Sequence, residues 1–90
     1  MNYQPEKVSA SKKVVHVSRI AGEEEKYVVS LANAGNETIT INIYDNFDRL
    51  VHNETKKING EFAQIYTVKN KKVSSIEVVD EAGNRKVSRF

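Results

Sequence analysis

His16, His52 and the acidic pairs Asp45/Asp48 and Asp80/Glu81 are the residues of this 90-residue chain whose types could do chemistry. The two histidines fall on different strand-like segments, with no second ligand at metal spacing beside either, which favours ordinary strand histidines over a metal site. The acidic pairs suggest a calcium site or a general acid–base pair. They lack the EF-hand spacing, however, and Asp is a frequent turn residue because its carboxylate caps nearby backbone N–H groups. No nucleophile can be paired with a base from this inventory, so no catalytic residues are assigned and no enzyme is expected. Tyr44, Tyr66 and Phe47 are candidate ligand-stacking residues, since exposed aromatic faces can carry a sugar ring; the bland alternative is that they cover the margin of a core.

Composition narrows the remaining classes. Cysteine is absent, which excludes disulfides, zinc–thiolate sites and thiol nucleophiles. No cofactor is expected. Fourteen Lys and Arg against 12 Asp and Glu leave a net charge of +2, too weak a bias for a nucleic-acid binder. No apolar run approaches the roughly 20 residues of a membrane-spanning helix, so membrane insertion is not expected. Nor does a basic start lead into an apolar stretch, so an exported protein would be present here in its mature form. Glu23-Glu24-Glu25 reads as a solvated loop. Lysine pairs near strand ends, such as Lys12-Lys13 and Lys56-Lys57, read as guards against edge-to-edge aggregation.

The elements that must position these residues are strands. Thr38-Ile39-Thr40-Ile41-Asn42-Ile43 alternates apolar and polar side chains, which puts three isoleucines on a buried face. Val15/Val17 and Tyr27/Val29/Leu31 alternate in the same way. Further strands are expected over 49–55, 61–68, 73–80 and 85–90. Ala21-Gly22, Asn33 to Asn36, Asn59-Gly60, Lys69 to Lys71 and Glu81 to Asn84 separate them as turns. About seven strands at this spacing predict an all-β, antiparallel β-sandwich, which the resemblance below makes immunoglobulin-like. Residues 1–11 read as a flexible lead-in and 12–90 as one domain. Ile39, Ile41 and Ile43 are expected to share the core with Tyr27, Val29, Leu31, Ile76 and Val78.

Ile43-Tyr44-Asp45 followed by Arg49-Leu50-Val51 resembles the "I-Y-D-x-x-G-[KR]-x-V" segment of the C-terminal sorting domains used by the type IX secretion system of Bacteroidetes. It is similar also to small immunoglobulin-like secreted domains of unknown function from those bacteria. Asp48 stands where that family commonly has glycine, and the family's Gly-x-Tyr is missing near Lys72-Val73-Ser74. The resemblance covers roughly residues 25–90. It implies a non-catalytic module for protein interaction, export or attachment, located in the periplasm, at the cell surface or outside the cell. Its partner would be a protein or the export machinery, met by the basic terminal strand through Arg85, Lys86 and Arg89. The alternative is a carbohydrate-binding module using Tyr44, Tyr66 and Phe47.

With neither thiols nor a ligand cluster in the sequence, the melting temperature should be the same with and without chelator or reducing agent. A fall of several degrees in chelator would restore the calcium reading of Asp45, Asp48, Asp80 and Glu81.

Overall fold

Alternation at period two dictates two layers, because each strand with one apolar face must lay that face against another. The computed structural model describes residues 13–90 and realises this arrangement with seven strands: β1 (Val14–Arg19), β2 (Lys26–Ala32), β3 (Asn36–Asp45), β4 (Leu50–Asn59), β5 (Phe62–Thr67), β6 (Val73–Val79) and β7 (Arg85–Arg89). The expected lead-in over 1–11 lies outside the described residues. A three-stranded sheet in the order β1-β2-β5 packs on a four-stranded sheet in the order β4-β3-β6-β7, and every pairing is antiparallel. The described residues form no helix, hence none long and apolar enough to cross a membrane.

The core is the one the alternation predicts. Ile39, Ile41, Ile43, Val29 and Ile76 have no solvent exposure, and Tyr27, Leu31 and Val78 are buried beside them. Ile58, Tyr66 and Val73 complete the cluster. β3 is bonded on both sides, to β4 and to β6, so its inward isoleucines occupy the middle of the larger sheet.

Two hairpins of that sheet use one turn design. In the β3–β4 turn the Asp45 N–H donates to the Arg49 carbonyl and the Asp48 N–H to the Asp45 carbonyl, both at 3.0 Å. In the β6–β7 turn the Asp80 N–H donates to the Asn84 carbonyl at 2.9 Å and the Gly83 N–H to the Asp80 carbonyl at 3.0 Å. Each turn needs a left-handed residue at its fourth position, supplied by Gly83 (φ 90°) in one and by Asp48 (φ 61°) in the other. Asp tolerates that region better than most side chains, so the turn forms without the glycine.

Two boundaries differ from the expectation. β4 runs on to Asn59 instead of ending at 55, which brings Lys56 and Lys57 into the strand. Asn59-Gly60 is not a hairpin turn, because β4 and β5 belong to different sheets. It is a corner where the chain crosses the sandwich. The chain crosses twice more, between β5 and β6 through residues 68–72 and between β2 and β3 through Asn33 to Gly35. This last corner and the Asn59-Gly60 corner satisfy each other: the Ala34 N–H donates to the Gly60 carbonyl at 2.8 Å and the Gly60 N–H to the Gly35 carbonyl at 3.4 Å. Backbone groups that leave their ladders thereby keep partners.

Ile41→Asp should cost several kcal/mol, since a buried unpaired charge is added to lost packing, out of roughly 5–15 kcal/mol for a domain of this kind. Chemical denaturation of the variant measures it, and an unchanged midpoint would refute the assignment of the inward face.

Candidate functional site

The outer face of the four-stranded sheet is built by the same register that buries the isoleucines. Opposite each inward isoleucine of β3 lies a polar row of Thr38, Thr40, Asn42 and Tyr44. Strand pairing sets Asn42 beside Asn53 on β4 and beside Glu77 on β6, and Tyr44 beside Ser75. On the far side β7 contributes Arg85, Val87 and Arg89. Glu77 is the centre of this surface. The residue is only 9% exposed, yet its carboxylate carries three partners. Asn42 Nδ2 donates to it at 3.0 Å, the Tyr44 hydroxyl at 3.5 Å and Arg85 Nε at 2.8 Å, while Asn53 Nδ2 donates onward to Asn42 Oδ1. A carboxylate taken out of water needs such partners, so the network fixes Asn42 and the inner end of Arg85. The guanidinium itself remains largely exposed. A shallow depression of about 250 Å³ beside Glu77 is lined by Tyr44, Asp48, Ser75, Val87 and Arg89.

The structure therefore brings together Tyr44, Arg85 and Arg89 and separates the other sequence candidates from them. Lys86 alternates to the opposite side of β7, where it lines a larger cleft of about 560 Å³ at the end of the sandwich. Phe47 is exposed at the tip of the β3–β4 turn, with the Arg49 guanidinium 5.0 Å from its ring centre. Tyr66 is not a surface residue. It lies on the inner side of β5, 5% exposed, with its ring 5.3 Å from that of His52. Tyr44, Tyr66 and Phe47 thus form no common stacking platform, because alternation sends Tyr66 inward from the other sheet while Phe47 projects from a loop.

The histidines and acidic turns have structural occupations. His16 lies on β1 in the smaller sheet, away from His52. On the inward side of β4, His52 Nε2 is 3.2 Å from Glu54 Oε1, and Lys56 Nζ is 3.2 Å from Glu54 Oε2. Burial by itself raises the Glu54 pKa, but His52, Tyr66 and Lys56 around it bring it below the ordinary value. The Tyr66 hydroxyl is buried without a partner at hydrogen-bonding geometry; its burial and the nearby Glu54 charge push its pKa up. Asp45 spends its carboxylate on the turn, accepting the Phe47 N–H at 2.8 Å, the Arg49 N–H at 2.9 Å and Arg49 Nε at 3.1 Å. These bonds, the Arg49 backbone N–H foremost, hold its pKa below the usual carboxylate value. Among the described residues no group of three or more potential ligands gathers as a metal site would require.

Asp80 does double duty. It caps its own turn through the Asn84 N–H at 2.8 Å and also meets Lys13 Nζ at 2.6 Å, while Lys13 reaches Glu37 at 3.0 Å. Lys13 precedes β1 and its acidic partners belong to the other sheet, so the ammonium ties the two layers together at the mouth of the larger cleft. Burial alone would raise the Asp80 pKa, but Lys13 and Asn84 outweigh it and lower the value from 3.8 to about 2. Burial would likewise lower Lys13, and the hydrogen bonds to Asp80 and Glu37 raise it instead.

Sequence reasoning missed Glu77, Asn42, Asn53 and Lys13 as organising residues. A signal for Glu77 was present: it is the one charge inside the apolar segment Val73–Val79, and folding that segment back through the Asp80 turn places Arg85 diagonally across from it.

Because the folded Asp80 pKa lies below its unfolded value, its stabilisation is present above about pH 4 and is lost as the pH falls toward 2. It amounts to about 1–2 kcal/mol at neutral pH after allowance for screening. Lys13→Met should lower the melting temperature at pH 7 and flatten its decline between about pH 4 and pH 2; parallel acid profiles for the two proteins would refute the clamp. Compared with known proteins, the chain matches no family model, no curated protein and no solved structure, so any functional reading has to stand on the surface organised by Glu77.

Proposed function

We propose that this protein is a non-catalytic, immunoglobulin-like module that binds a protein partner, in export or attachment outside the cytoplasm, through the outer face of its four-stranded sheet. The observation that carries this reading is the arrangement around the buried Glu77, where Arg85 and Tyr44 bond the carboxylate and Arg89 lines the depression beside it. Strands hold side chains more closely than loops do, and a guanidinium anchored at one nitrogen while its remaining donors face water is preorganised for a carboxylate or backbone carbonyl of a partner. The three-plus-four division of strands agrees with an immunoglobulin-like sandwich. The left-handed Asp48 agrees with the turn of the type IX sorting segment that Ile43 to Val51 resembles.

The carbohydrate alternative keeps only Tyr44, half-buried and flanked by Asn42, since Tyr66 lies in the core and Phe47 stands apart. Protein recognition by a basic face is the stronger reading.

Replacing Arg85, Lys86 and Arg89 by Gln should cost about 1–3 kcal/mol, mostly because the buried Glu77 keeps only Asn42 and Tyr44 as partners, and leave the fold intact. In a host with type IX machinery the folded triple variant should be secreted poorly when both it and the wild type are fused behind the same export leader of that host. Lys86→Gln alone should be secreted normally, because Lys86 faces the other way. Normal export of the triple variant would overturn the role of this face, and saturable binding of an oligosaccharide abolished by Tyr44→Ala would replace it with the carbohydrate reading.

A further inference from the structure

The four edge strands of the sandwich are not equally protected. β4 carries Glu54, Lys56 and Lys57, β7 carries Arg85, Lys86 and Arg89, and β1 ends on Arg19 and follows Lys13. β5 (Phe62–Thr67) has no charged residue at all, and Ile65 at its middle is 56% exposed. An uncharged open edge is the ordinary template for another strand.

The groups that this edge offers follow from its pairing. The Val68 N–H donates to the Glu25 carbonyl at 2.9 Å, in register with the pairs Tyr27↔Tyr66, Val29↔Gln64 and Leu31↔Phe62. Bonded and non-bonded pairs alternate along an antiparallel ladder, so residues 62, 64 and 66 bond to β2. The N–H and C=O groups of Ala63, Ile65 and Thr67 point the other way, into the open edge. On β7 the bond from the Phe90 N–H to the Ser74 carbonyl, by the same alternation, leaves Arg85, Val87 and Arg89 open. A second β7 using all three would set Arg85 against Arg89, a like-charge clash.

We infer that β5 pairs with β5 of a second copy of this chain, antiparallel, about a two-fold axis at Ile65. This is the register that uses all three open residues of both strands: Ile65 faces Ile65 of the other copy, and Ala63 faces Thr67. The residues just outside the strand decide the occupant. The same register places Glu61 opposite Lys69 of the other copy, at both ends of the pair, and both residues are exposed. Opposite charges at the ends of an uncharged, β-branched strand make the edge complementary to itself. The axis stands perpendicular to the sheet, which joins the two three-stranded sheets into one and turns both Glu77-centred faces to the same side. A partner with two sites would then be held bivalently.

Two edge strands bury less than the roughly 1,200 Å² of a standard interface, so the dimer is weak, with Kd between about 10 µM and 1 mM. Sedimentation velocity of the full chain across that range should show a concentration-dependent dimer. Ile65→Lys, which sets two ammonium groups against each other on the axis, should abolish it with little change in the melting temperature, because the Ile65 side chain lies on the outer face and is 56% exposed. Lys69→Glu should weaken it about ten-fold, and adding Glu61→Lys to Lys69→Glu should restore it. These charge changes lie at exposed positions and decide the matter even if Ile65→Lys fails to fold. A wild-type chain monomeric at about 1 mM, or a dimer indifferent to Lys69→Glu, would overturn the inference.

Discussion

The two-residue period of β3 is the constraint on which the remainder of this structure depends. A strand bonded on both sides cannot choose its faces independently: if Ile39, Ile41 and Ile43 go in, then Thr40, Asn42 and Tyr44 go out. A slip of one residue against either neighbour would bring Asn42 and Tyr44 into the core and put the isoleucines in water. The burial of three isoleucines stabilises the register by several kcal/mol relative to that slip, at about 1.5–3 kcal/mol for each buried side chain. The core therefore fixes the address of every residue on the outer surface, and the polar site is positioned by hydrophobic burial on the other side of the same strand.

The turns transmit that constraint to the neighbours. Asp45 and Asp80 each begin a turn of the same design, and each carboxylate accepts the backbone N–H four residues on. One fixes β4 on β3 and so brings Asn53 to Asn42; the other fixes β7 on β6 and so brings Arg85 to Glu77. Both carboxylates have lowered pKa values, Asp45 foremost through the Arg49 N–H, and Asp80 because Lys13 and then the Asn84 N–H outweigh its burial. The acidic turns thus do a local backbone task that also sets the geometry of a surface some residues away. Asp80 adds a third function through Lys13, so one carboxylate terminates a hairpin and fastens the opposite sheet.

What was legible in the sequence was whatever depends on near neighbours. The alternation over Thr38 to Ile43 identified the core row, and the Tyr44-Asp45-Asn46-Phe47-Asp48 segment identified a turn, which forms with Asp48 in the left-handed region. Properties that depend on which strands become neighbours were not legible. Asn59-Gly60 has the composition of a hairpin turn but sits at a crossing between sheets, and nothing local distinguishes the two. Tyr66 was a surface candidate only as an aromatic that could join Tyr44; its burial comes from β4 across the sandwich, where His52 meets its ring. Arg85, Lys86 and Arg89 looked like one basic cluster when written in a row. Pleating assigns Lys86 to the opposite side, so proximity in sequence became separation in space.

The chain has no disulfide, and its described residues gather no metal-site cluster, so apolar burial has to supply most of the stability; the polar groups are better understood as selecting among arrangements of similar burial. Arg85 and Glu77 illustrate the difference. Their attraction is largely offset by the desolvation of Glu77, so the pair adds little net stability. Shifting β7 by two residues along β6 would keep its backbone bonds and leave its inward side chains inward, but would take Arg85 away from Glu77 and strand a carboxylate that is 9% exposed. The penalty for an unpaired buried charge is much larger than the gain from pairing it. The network thereby discriminates against slipped registers that hydrophobic alternation alone tolerates, since alternation forbids odd slips but not even ones. The inward row of His52, Glu54 and Lys56 on β4 has the same logic at the sheet's other edge, where it disfavours any shift that would carry its charges deeper among the isoleucines. Core and polar network therefore specify the fold in complementary ways: the isoleucines exclude odd slips, and Glu77 with its partners excludes even ones.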